Sequence, residues 1–116
     1  PLNFASMKEA AKHLIGTHDF TSFQAAGSDI KTTTRTLSHL EIAGQSNSDE
    51  TWIEAYANGF LKHMVRNIVG TLVDVGRGKT DSGQLPAILK ARDRRIAGRA
   101  APPGGLYLVK VDYPND

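Results

Sequence analysis

Apolar residues recur at intervals of three and four along residues 60–75, the most periodic stretch of the chain. Leu61, Met64, Val65, Ile68, Val69, Leu72 and Val73 fall on one stripe. That spacing predicts an amphipathic helix with a stripe broad enough to be core, ended by Gly76-Arg77-Gly78. Near the start, Ala10, Ala11, Leu14 and Ile15 among lysines predict a helix over 5–15 that stops at Gly16. Asp19 is placed to cap a short helical turn carrying Phe20 and Phe23, three residues apart. The runs 37–42 and 51–57, separated by a Gly/Gln/Ser/Asn/Asp loop, predict an antiparallel hairpin despite imperfect alternation. A further helix is predicted from about Gln84 to Arg92, with Pro86 in its first turn. Pro102-Pro103-Gly104-Gly105 then delivers Leu106 to Val111, the clearest strand. The order helix, strand, strand, helix, helix, strand predicts an α+β domain: a small antiparallel β-sheet with helices packed on one face.

Length agrees with this picture, since 116 residues make one domain, 1–116, able to bury an ordinary core. Apolar residues make up 40% and charged residues 22%, a globular rather than a disordered balance. Cysteine is absent, which excludes disulfides, thiolate metal sites and cysteine nucleophiles. No apolar run reaches the roughly 20 residues of a membrane span. The chain opens on Pro1 without an initiator Met, as expected of a processed, trimmed or cloned piece.

Charge changes the picture more. Residues 60–99 hold nine Lys/Arg against three acids, whereas the remainder holds five against nine. Such a cationic segment fits a polyanionic partner, or else a solvated helical region. On the long helix, Lys62, His63, Arg66 and Asn67 share a face opposite the apolar stripe, continued by Gly70 and Thr71. That face reads either as a solvent-exposed polar surface or as a cationic shelf for another surface. Lys31 to Thr36 offers two cations and four hydroxyls in six residues, suited to phosphate oxygens or equally to a hydrated loop. Phe20 and Phe23 are expected in the core rather than stacked on bases. The four histidines make no ligand pair along a helix and no carboxylate pattern accompanies them, so no metal site is expected. Ser38, His39 and Glu41 lie along one strand, where alternation separates Ser38 from His39 and argues against a catalytic triad.

The stretch Phe60-Leu61-Lys62-His63-Met64-Val65-Arg66-Asn67-Ile68-Val69-Gly70 closely resembles the tRNA pseudouridine synthase A family, in its C-terminal half. His18-Asp19-Phe20-Thr21-Ser22-Phe23, the Lys31 to Thr36 stretch and Gly105-Leu106-Tyr107-Leu108 match in the same order. The resemblance implies isomerisation of uridine to pseudouridine in the tRNA anticodon stem-loop, in a cytoplasmic homodimer of two-domain subunits. It implies no cofactor, and partners that are tRNA and the N-terminal half of the same protein. It puts the active-site arginine on Arg66, where it would orient the catalytic aspartate, and an apolar base contact on Leu106. Lys62, His63, Lys31 and Arg35 fall where the family contacts tRNA. The family's Arg-Thr-Asp nucleophile motif belongs to its N-terminal half and has no counterpart here. Lys79-Thr80-Asp81 imitates it in a Gly-rich connection and is expected to be an ordinary loop or helix-start acid. The chain is therefore expected to be half an enzyme, inactive alone. The other reading is a non-catalytic RNA-binding or assembly module.

Overall fold

A computed structural model describes residues 2–24, 32–44, 51–59, 61, 63–98 and 107–112, with the backbone alone at 43–44, 51–52 and 107–112. Helix α1 spans Phe4–Lys12, with the Asn3 side chain accepting from the Ser6 N–H at 3.1 Å. It ends before the predicted stop at Gly16. That glycine instead opens a strand, β1 (Gly16–Asp19), at φ 110°, a backbone conformation that suits a residue lacking Cβ. Four residues are too few to show a period, which is why the sequence pattern does not reveal β1.

The hairpin forms as predicted, from β2 (Thr34–Gly44) and β3 (Thr51–Ala57). Strand β1 lines the other side of β2, so β1, β2 and β3 are antiparallel, and β4 (Tyr107–Asp112) joins β3 in parallel. The α+β architecture stands, and the parallel fourth strand is the feature that periodicity does not specify. Register depends on long-range pairing, which local pattern leaves open.

The imperfect alternation of β2 has a cause. Between Leu37 and His39 the register slips by one residue, leaving Ser38 as a bulge whose hydroxyl donates to the Tyr56 carbonyl at 3.1 Å. Past the bulge the alternation changes phase. Leu37, Leu40 and Ile42 are buried, together with Ile53, Ala55 and Ala57 of β3. His39, Glu41, Glu54 and Tyr56 occupy the other face. The bulge also removes the strict alternation on which the expected separation of Ser38 from His39 rested.

Helix α2 (Met64–Gly76) and helix α3 (Leu85–Ala91) complete the core layer. Leu61, Met64, Ile68, Val69, Leu72 and Val73 are buried as the stripe predicts, and Val65 packs partly buried against them. Met7, Ala10, Ala11 and Leu14 meet them from the α1 segment. Burying such side chains contributes about 1.5–3 kcal/mol each for the larger ones, so this layer fixes the sheet-and-helix arrangement. Phe20 and Phe23 are fully buried, with ring centroids 6.3 Å apart, so neither is available to stack on a base. The Pro102 to Gly105 break lies outside the described residues.

Candidate active site

The site is built where β2 begins, β3 ends and α2 starts. Asn58 joins the first two elements: its N–H donates to the Thr36 carbonyl at 3.1 Å, and its Oδ1 accepts from the Thr36 N–H at 2.9 Å. Arg35 is half-buried here, and its Nη1 donates to the carbonyls of Thr32 (3.0 Å) and Thr34 (2.8 Å). Its Nε lies 3.3 Å from where a Cβ on Gly59 would stand, so the guanidinium passes directly over that glycine. Arg35 is thereby tied to the connection that leads into α2.

That connection turns sharply. The Met64 N–H donates to the Leu61 carbonyl at 3.0 Å, and His63 takes the left-handed conformation at φ 58° without a side-chain cap. A left-handed non-glycine residue costs roughly 1–2 kcal/mol and persists only where its surroundings impose it. His63 is exposed, just outside the helix, and Arg66 is half-buried on the first turn.

The residue after Arg66 is locked. Asn67 is 2% exposed; its Nδ2 donates to the Phe23 carbonyl at 2.6 Å and its Oδ1 accepts from Arg94 Nη2 at 3.0 Å. One turn on, Thr71 Oγ1 donates to the Asn67 carbonyl at 2.9 Å and accepts from the Gly98 N–H at 2.9 Å. Ser22, also buried, donates to the Ile88 carbonyl at 2.6 Å and accepts from the Asp93 N–H at 3.0 Å. These bonds fasten the 20–23 and 93–98 segments onto α2 and α3.

This overturns the continuous cationic shelf. Asn67, Gly70 and Thr71 are covered, because the 94–98 segment folds back across their face and supplies Arg94 and Gly98 as partners. Of that face, His63 and Arg66 keep access to solvent. Periodicity places residues on a helix face but cannot say that a later segment returns to cover it. Of the other expected site residues, Lys31, Lys62 and Leu106 lie outside the described residues.

The His18 to Phe23 motif and the Thr-rich stretch meet through Asp19. Its Oδ1 accepts from Thr21 N (3.0 Å), Thr21 Oγ1 (2.6 Å) and Thr33 Oγ1 (2.7 Å), and Arg92 Nε approaches Oδ2 at 3.4 Å. Partial burial pushes this carboxyl up, but the Thr21 and Thr33 hydrogen bonds and the Arg92 charge together hold it below the usual aspartate range. The Thr33 hydroxyl is therefore committed internally, as is that of Thr36, 2.7 Å from Thr17 Oγ1. Asp81, the imitation of a nucleophile motif, forms a capping box with Gln84 at the start of the turn leading into α3.

The tRNA pseudouridine synthase family matches residues 10–114, nearly the whole described domain. The chain belongs to that family. It is similar to tRNA pseudouridine synthase A of Thermoanaerobacter sp. (strain X514), 53% identical over 113 residues, which are 97% of this chain and 46% of that protein. The same-named proteins of Alcanivorax borkumensis and Bacillus subtilis (strain 168) are 46% and 47% identical over 98% of this chain, covering 42% and 45% of their own lengths. The chain thus spans about half the length of the curated relatives it matches. In this family context Asn67 and Arg94 are the residues sequence reasoning missed as a pair. Nothing in the local pattern set Asn67 apart from its polar neighbours Arg66 and Thr71 on the same helix.

Proposed function

We propose that this chain is the C-terminal half of a tRNA pseudouridine synthase, and that Arg66 serves its active site by holding an aspartate supplied by the N-terminal half. The observation that carries this reading is the position of Arg66: half-buried, on the first turn of α2, next to an asparagine locked from two sides. A planar, permanently charged guanidinium on a fixed helix turn is suited to keep a neighbouring carboxylate ionised and oriented. The reaction breaks the uridine N1–C1′ bond, forms a C5–C1′ bond, and returns the C5 proton to solvent while N1 gains one. The target base must leave its stack, so the two halves would enclose a pocket for a flipped nucleotide. Leu106 would pack against that base. Lys31, Arg35, Lys62 and His63 would contact the tRNA backbone, and the complete protein would act as a cytoplasmic homodimer without a cofactor.

Arg35 and His63 support the backbone role, since both stand at the connection that begins α2. Asp81 is not assigned a catalytic role, because its side chain caps a turn. Tritium release from tRNA labelled at uracil C5 tests the proposal. The isolated chain should release none, and the complete protein should turn over. Arg66→Ala in the complete protein should abolish release while retaining most tRNA affinity. Normal turnover by that variant would refute the assigned role. Turnover by the isolated chain would refute the half-enzyme reading, and tRNA binding by a complete protein without any turnover would favour a non-catalytic RNA-binding module.

A further inference from the structure

On the sheet face away from the helices, the hairpin assembles a donor set that no helical spacing announces. Glu41 and Glu54 are direct cross-strand partners, and His39 stands opposite Tyr56 two pairs away, the next pair on the same face. Like charges placed directly opposite destabilise a hairpin unless something positive lies between them. What lies between them is His39 Nε2, 3.1 Å from Glu54 Oε1 and 3.5 Å from Glu41 Oε2. That nitrogen is shielded from solvent yet makes no hydrogen bond, so the short contact to Glu54 lies off the N–H direction. The ligand atoms of all three residues fall within 4.8 Å of one another.

We infer that His39, Glu41 and Glu54 form a binding site for a divalent transition metal of the zinc class. The separations fit the ion: a tetrahedron with metal–ligand bonds of 2.0–2.1 Å has edges of about 3.3 Å, and the two nitrogen–oxygen distances bracket that value. Imidazole nitrogen and carboxylate oxygen are both zinc donors, and three such ligands leave the fourth position for water. Tyr56 supplies the support that metal ligands need. Its hydroxyl donates to Glu54 Oε1 at 3.0 Å, and its ring stacks on His39 with centroids 4.6 Å apart at 24°. The bulge at Ser38 makes this possible, since it turns His39 onto the face that carries both glutamates. Lys110 of β4 holds the register position beside Glu54. No metal was expected from the sequence, where the histidines form no ligand pair on one helix and no local carboxylate pattern accompanies them, because these ligands come together only across two strands.

Zinc chloride titrated calorimetrically into the purified chain near neutral pH tests the site. One equivalent should bind, and cobalt substituted for zinc should give the visible bands of a four-coordinate ion. Glu41→Gln and Glu54→Gln should each lose saturable binding while keeping the parent's dispersed amide spectrum. Tyr56→Phe should weaken binding roughly tenfold, as loss of a supporting hydrogen bond does. Lys110→Ala should leave or raise affinity. No saturable binding by the parent would overturn the inference. Unchanged affinity in both glutamine variants would overturn it too, by placing the ion at another histidine.

Discussion

Asn67 takes both its side-chain partners from distant segments, and Asp19 joins nearby Thr21 to the more distant Thr33 and Arg92. Each has a measurable signature. Replacing Asn67 with Ala leaves the Phe23 carbonyl without its donor and Arg94 without its acceptor. Stranding such groups costs about 1–3 kcal/mol, to be read from the urea unfolding midpoint of Asn67→Ala. Asp19 makes a prediction about acid. Its carboxyl titrates lower in the folded protein than in the unfolded chain, so its contribution to stability is complete above the unfolded value. That contribution disappears as pH falls toward the folded value. Stability should therefore decline through the acid range more steeply in the parent than in Asp19→Asn, as measured by unfolding at a series of pH values below 5. Parallel acid limbs would contradict the hydrogen-bonding account of Asp19.

At the scale of elements, caps and turns tie local chemistry to tertiary contacts. The capping box of Asp81 and Gln84 closes the turn that launches α3, and α3 in turn supplies the Ile88 carbonyl held by Ser22. Asp81→Ala should cost about 1 kcal/mol in unfolding experiments, the usual effect of losing an N-cap. In the complete protein the same substitution should leave pseudouridine formation intact, which separates a capping acid from a nucleophile. The long helix, the hairpin and α3 were all legible in the chain, because each carries its own apolar period or turn signal. Strand β1 was not, and neither was the phase change in β2, whose single extra residue looks like noise until its neighbours Leu37 and His39 are seen opposite the adjacent residues Ala57 and Tyr56.

For the whole molecule, the uneven charge makes the final prediction. Binding of the complete protein to tRNA should weaken steeply with salt, since each phosphate neutralised by Lys or Arg releases counterions. A binding constant indifferent to salt would count against backbone contacts at Lys31, Lys62 and Arg35. The sequence by itself determined the α+β class, the main helices and hairpin, and the family, because periods of 3.6 and 2 and short motifs are written within single segments. It also singled out Arg66. Only the tertiary structure decided that the shelf beside Arg66 is covered, that β4 runs parallel to β3, and that His39 meets two glutamates. Each of those depends on segments far apart in the chain coming to lie side by side, and that pairing is set by the packing of the whole core rather than by any local pattern.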